Sequence, residues 1–211
     1  MVRLAVLASG SGTNLGALLS AAADPAYPCD LRLVLSDVPD CGALARAEAA
    51  GVETAVVTWA ECGGDRTRFT AAIVDVLNRR GVELVALAGF MRILAGEIVE
   101  AFPNAILNTH PSLLPAFRGA HAVEEALAMG VKVTGVTVHI VDEKVDHGPI
   151  VAQECVPVAD DDTPATLHER IKSVEHVLFP KVVADWARGA YAVEGPHVRR
   201  RPDRETVSGG R

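Results

Sequence analysis

Leu4-Ala5-Val6-Leu7-Ala8-Ser9-Gly10-Ser11-Gly12-Thr13-Asn14 decides the fold of this chain. Its first five residues are apolar without alternation, the pattern of a strand buried on both faces in a parallel sheet. The glycine turn then opens a helix whose Leu15, Leu18, Leu19 and Ala22 share one face, ended by Asp24-Pro25. The same alternation repeats outward. Leu31–Leu35 is a second apolar run, closed by Ser36-Asp37-Val38-Pro39-Asp40. Ala43–Ala50 reads as a helix stopped by Gly51, and Thr54–Thr58 as a third strand. Asp65–Arg80 is a helix with apolar Phe69, Ile73, Val76 and Leu77, ended by Gly81; Leu84–Ala88 and Ala105–Leu107 are further apolar strands. Strands and helices in this order predict a doubly wound, mostly parallel, Rossmann-like α/β sheet.

The pattern changes after Ala128. Val131–Val141 alternates Val133, Gly135, Thr137 and His139 against Thr134, Val136, Val138 and Ile140, and Pro149–Val158 is a second such strand. Together they predict an antiparallel extension of the sheet. Thr163–Arg188 reads as one long helix, with Thr163 as N-cap, Pro164 in the first turn, Glu169 near the start and a bend at Pro180. Residues 1–190 are expected to form one domain, with a phosphate-binding half over 1–100 and a catalytic half over 101–190. Residues 191–211, with Arg199, Arg200, Arg201 and Arg204, read as a polar tail frayed at its end.

A chain of 211 residues, 49% of them apolar, can bury a sizeable core. Its formal net charge of -7 argues against non-specific nucleic-acid binding, which needs a basic footprint. Local sites for small phosphorylated ligands remain open. No run approaches the roughly 20 apolar residues of a membrane span. Cys29, Cys41, Cys62 and Cys155 form no CxxC pair and no zinc-type cluster, so no metal is expected. The start of the chain runs straight into the glycine turn, without the pattern of a signal peptide. These features predict a cytoplasmic protein acting on small molecules. A homodimer is left open, because Leu127 and Met129 fit a subunit face as well as a core.

Two places carry chemistry. Ser9–Asn14 joins strand to helix, where glycines and a helix N-terminus suit a phosphate. It is neither a Walker A loop nor a dinucleotide fingerprint: Gly10, Gly12 and Ala17 have the wrong spacing. Asp37 is a candidate ribose acceptor, though a turn aspartate is the more ordinary reading. The second place is Asn108-Thr109-His110-Pro111-Ser112-Leu113-Leu114-Pro115. Asn108 and His110 lie two apart where a strand runs out, so both face one side, and the prolines stiffen the loop beyond. Asp146, in the turn before Gly148-Pro149, is a candidate third member. Asp, His and Asn together supply an orienting acid, a proton donor and an oxyanion stabiliser. No Ser or Cys stands at a nucleophile elbow, so attack by a substrate amine or by water is expected.

At these residues the chain resembles the folate-dependent formyltransferase superfamily. The Ser9–Asn14 loop and Leu87-Ala88-Gly89-Phe90-Met91-Arg92-Ile93-Leu94 narrow the resemblance to the phosphoribosylglycinamide (glycinamide ribonucleotide) formyltransferases, over residues 1–190. The resemblance implies formyl transfer from 10-formyltetrahydrofolate, a co-substrate, to the primary amine of glycinamide ribonucleotide in purine biosynthesis. It places Asn108, His110 and Asp146 on catalytic positions. Gly12, Thr13 and Asn14 fall on the phosphate loop, and Lys172 and Glu175 on the segment binding the ribonucleotide. Met91, Arg92, Ile93 and Leu94 fall on the folate pocket, with Asn108, Asp142, Asp146 and, from a variable loop, Arg66. Arg118 stands where this family commonly has proline or lysine; arginine there is familiar from methionyl-tRNA formyltransferases. His147 replaces a common glycine and would put a titratable neighbour beside Asp146. Alternatives are a 10-formyltetrahydrofolate hydrolase, whose relatives carry an added N-terminal domain, or another folate-dependent formyltransferase. A nucleotide sensor using the glycine loop alone would leave the Asn108–His110–Asp146 set unexplained.

Overall fold

The computed structural model describes residues 1–202; Arg204 and the rest of the tail lie outside them. Five strands alternate with helices: Val2–Leu7 (β1), Thr13–Ala22 (α1), Cys29–Ser36 (β2), Gly42–Ala49 (α2), Glu53–Val56 (β3), Arg66–Arg79 (α3), Leu84–Leu87 (β4), Glu97–Ala101 (α4) and Ile106–His110 (β5). Then come Ala122–Ala128 (α5), Val133–Ile140 (β6), Ile150–Pro157 (β7), Pro164–Ala187 (α6), Tyr191–Glu194 (β8) and His197–Arg200 (β9). The main sheet runs β3-β2-β1-β4-β5-β6-β7. Its first five strands are parallel, and β6 and β7 add antiparallel, as the alternating pattern after Ala128 predicts.

Strand β1 shows why an unbroken apolar run was needed. Leu4, Val6 and Ala8 pack into one layer with α1, α2 and α6, while Ala5 and Leu7 pack into the other with α3 and α4. All five are fully buried. Each large side chain so buried is worth about 1.5–3 kcal/mol, which favours strands covered on both sides. The strand order reverses between β1 and β4, and open α/β sheets form their crevice at such a point, outside the carboxyl ends.

Of the glycines that space requires, two bear directly on the site. A Cβ on Gly12, where φ is 72°, would lie 2.7 Å from the Ala43 Cα, so this residue lets the α1 and α2 starts meet. A Cβ on Gly148 would lie 2.0 Å from the Ile140 carbonyl oxygen, so the chain entering β7 crosses the end of β6 only as glycine.

Some local readings need adjustment. Thr163 caps α6 with a reciprocal Thr163–Thr166 pair, but Glu169 falls beyond the first turn and pairs with Lys172. The helix continues through Pro180, whose carbonyl accepts the Tyr27 hydroxyl at 2.9 Å. Residues 191–200, the first part of the polar tail, form the β8–β9 hairpin. Arg200 reaches Asp185 at 3.1 Å, and Trp186 stacks on Tyr191 with centroids 5.6 Å apart. Met129 is 73% exposed, whereas Leu127 packs against the core. No helix among the described residues is long and apolar enough to cross a membrane.

Candidate active site

Strand β5 extends through Asn108, Thr109 and His110, three residues beyond its apolar run. Its period of two sends Asn108 and His110 to one face and Thr109 to the other. On the first face β6 supplies the partner, because antiparallel register sets Asn108 opposite His139 and His110 opposite Thr137. The Asn108 amide nitrogen lies 3.0 Å from His139 Nε2. His139 Nδ1 meets the Ile140 carbonyl at 2.9 Å, and since a carbonyl only accepts, that nitrogen carries a hydrogen. The Asn108 amide thus directs one N–H toward the His139 ring and keeps its second hydrogen for a ligand.

Asp146 completes the group by an indirect route. β6 runs antiparallel, so its carboxyl end lies beside the start of β5, and the 141–149 loop folds back over the shared face. One Asp146 carboxylate oxygen stands 3.4 Å from His110 Nδ1, the other 3.6 Å from His139 Nε2. These are ion-pair separations, long for direct hydrogen bonds. His110 Nε2 lies 2.7 Å from the Phe117 carbonyl, so both nitrogens of this buried ring face oxygen acceptors. Asp146 itself is clamped by the loop after β5: the Gly119 N–H donates to its carboxylate at 2.8 Å and Arg118 Nε to its carbonyl at 3.0 Å. Its backbone is left-handed, φ 50°, so the clamp holds a conformation that aspartate seldom adopts alone. Arg118 thus braces the 141–149 loop. His147 faces Asp142 at 2.8 Å and not Asp146.

The proline loop is fastened below. The Thr137 hydroxyl donates to the Ser112 carbonyl at 2.7 Å and accepts from the Leu114 N–H and from Gln153, at 3.0 and 2.9 Å. Thr137 and Ser112 are fully buried. The Leu114–Pro115 bond is cis.

Burial pushes the Asp146 carboxyl up. The adjoining His139 imidazole, the Gly119 N–H and the His110 charge outweigh it and hold the group below the ordinary carboxylate value. A depressed folded pKa contributes stability above the unfolded pKa, and that contribution is lost as pH falls through the folded value. Acidified from about pH 5 to below about pH 3.9, the native protein should therefore lose more melting temperature than Asp146→Asn. Equal slopes in a pH series of thermal melts would contradict this.

The glycine loop lies at the carboxyl end of β1. Helix α1 begins at Thr13 after Gly12 and has no side-chain cap, so its first-turn N–H groups suit an anion. Arg46, which the sequence reading passed over, donates to the Ser11 carbonyl at 2.9 Å and brings a cation beside the loop. Asn14 donates to Glu175 at 3.2 Å, and its own carbonyl oxygen is buried without a partner. Glu175, buried on α6, also accepts the Thr109 hydroxyl at 2.9 Å. It therefore joins the glycine loop to the far face of β5. Lys172 pairs with Glu169 at 2.7 Å one turn earlier.

Met91–Leu94 follows β4, between those two sites in strand order. It has no regular secondary structure, and Met91 and Ile93 are 69% and 57% exposed. Asp142 spends both oxygens inside its own loop, on the Lys144 N–H and His147. Arg66 is the exposed first residue of α3 and makes no bond to this group.

A sequence model of the formyl transferase family matches residues 2–183. The chain belongs to the formyl transferase family. It is 46% identical over 193 residues to the phosphoribosylglycinamide formyltransferase of Mycobacterium tuberculosis, covering 92% of this chain and 88% of that one. It is 47% identical to the trifunctional purine biosynthetic protein adenosine-3 of Gallus gallus, over 91% of this chain but only 19% of that protein. The crystal structure of glycinamide ribonucleotide transformylase 1 from Symbiobacterium toebii superposes with a TM-score of 0.92 at 46% identity, over 95% and 94% of the two chains. In this formyltransferase the sheet therefore brings Asn108, His110 and Asp146 together, with His139 as a fourth member. His139 was read only as part of an alternating strand. The available signal was that Gly135, Thr137 and His139 give that strand one small or polar face.

Proposed function

We propose that this formyltransferase moves the formyl group of 10-formyltetrahydrofolate to the primary amine of glycinamide ribonucleotide. The observation that carries the reading is the Asn108–His110–Asp146 group, at the same sheet edge as a glycine loop suited to phosphate and an exposed apolar segment suited to a pterin ring. The buried Asn14 oxygen and the Glu175 carboxylate offer acceptors to the hydroxyl and amine hydrogens of a ribonucleotide. Met91, Ile93 and Leu94 form the pterin wall.

The substrate amine attacks the formyl carbon, and the electron pair of the C=O bond moves to oxygen. The free Asn108 N–H donates to that oxyanion, a contact typically worth about 3 kcal/mol, and the His110 ring, held between Asp146 and the Phe117 carbonyl, supports it electrostatically. The carbon–nitrogen bond to folate then breaks. The amine proton leaves to the departing nitrogen by way of water held at Asp146, so no protein atom is acylated. Four free cysteines accord with a reducing, cytoplasmic setting.

The test is folate absorbance with and without glycinamide ribonucleotide. Loss of formyl that depends on the amine supports transfer. Amine-independent loss would assign hydrolysis instead, and no loss would leave a binding protein.

A further inference from the structure

Asp37 closes β2 in a turn sequence, a place for a ribose acceptor or an ordinary turn residue. The structure gives it neither part. Its side chain is 2% exposed. One oxygen accepts the Ser9 hydroxyl at 2.5 Å and the other accepts Arg92 Nε at 2.9 Å. The turn N–H that an aspartate would ordinarily take, that of Val38, goes to Ser36 Oγ. Ser9 Oγ in turn accepts the Met91 N–H at 2.9 Å. The Arg92 guanidinium lies 5.3 Å from the ring centre of Trp59, which follows β3. One buried carboxylate thus ties together the segments leaving β1, β2, β3 and β4.

We propose that Asp37 is a positioning residue for the folate wall, holding Met91–Leu94 through Ser9 and Arg92. This rests on the reading of that segment given under Proposed function. The segment exposes Met91 and Ile93 on irregular backbone, and of its apolar side chains Leu94 packs against the core. It is pinned by a side-chain acceptor at each end: Ser9 Oγ at the Met91 N–H, and the buried Thr70 hydroxyl at the Ala95 N–H, 2.8 Å away. Thr70 is held by α3. Ser9 sits in the glycine loop and is aimed by its bond to Asp37. Removing the carboxylate frees the serine hydroxyl to turn and Arg92 to leave Trp59, and the first pin loosens while the second holds.

Asp37→Ala and Ser9→Ala test this, with tetrahydrofolate binding read by calorimetry and steady-state kinetics read beside it. Each variant should weaken tetrahydrofolate about tenfold, the scale of one lost charge-assisted hydrogen bond. In Asp37→Ala the Michaelis constant for glycinamide ribonucleotide and kcat at saturating folate should stay within about threefold, because a general loss of fold would move all three together; Ser9→Ala, in the phosphate loop itself, is read by tetrahydrofolate affinity alone. Asp37→Ala should also change Trp59 emission, since the cation leaves its ring. Ser9→Ala keeps the Asp37–Arg92 pair intact and serves if Asp37→Ala does not fold. Native-like tetrahydrofolate affinity in a folded variant, or an equal loss for both substrates in Asp37→Ala, would overturn the positioning role. If the native protein itself does not bind tetrahydrofolate, the reading of the site fails first.

Discussion

Asp146→Asn is expected to cut kcat by about a thousandfold and to leave the protein folded with tetrahydrofolate affinity within about threefold of native. The replacement is nearly isosteric, and its amide oxygen can still accept the Gly119 N–H. What disappears is the negative charge between His110 and His139, 3.4 and 3.6 Å from their ring nitrogens. Without it the His110 ring keeps an acceptor on its Nδ1 side but loses the charge there, and water at the site loses the base that receives the amine proton. Single-turnover formyl transfer at saturating substrates is the measurement, because it separates chemistry from product release. Full turnover would remove Asp146 from the reaction.

Gly148→Ala should be strongly damaging for so small a substitution. The added methyl group would sit 2.0 Å from the Ile140 oxygen and 3.0 Å from its carbonyl carbon, both backbone atoms at the end of β6. No rotamer relieves that clash, so strand or loop must move. A cost of about 3 kcal/mol is expected, which for a chain of this size lowers the melting temperature by about 6–12 °C. Activity should fall further than stability explains, because the displaced loop carries Asp146. Gly10→Ala is the control: a Cβ there meets nothing within 4 Å, and the melting temperature should not change. A Gly148→Ala protein melting with the native one would refute the packing argument.

The sheet was legible because its parallel strands are apolar on both faces, and chain direction follows from the helices between them. The Asn108 and His110 pair was legible for a related reason, since two residues apart on a strand face one way whatever else surrounds them. His139 was not, because its place opposite Asn108 is set by antiparallel register between β5 and β6, a distance of 31 residues along the chain. The partners of Asp142 and His147 were hidden for a different reason. Both lie in a loop whose bonds are local, and nothing in the spacing told which carboxylate the imidazole would take. The β8–β9 hairpin escaped because each strand is only four residues long and the second is mostly basic; Gly195-Pro196 was its turn signal. Asp37 illustrates the limit of position: a turn sequence does not reveal that the side chain points inward.

Thr109, lodged between Asn108 and His110, faces α6 and gives its hydroxyl to Glu175. Strand β5 thereby behaves as a ruler with different graduations on its two edges. Substitutions along it change one graduation at a time, but an insertion or deletion of a single codon between Ile106 and His110 would shift every later residue to the opposite edge. The amide and imidazole would turn toward Glu175, and the threonine toward the folded-back loop. The chain can therefore vary in length within the turns around Gly63 or Gly195, whereas the count of residues from the apolar run to Pro111 has no slack.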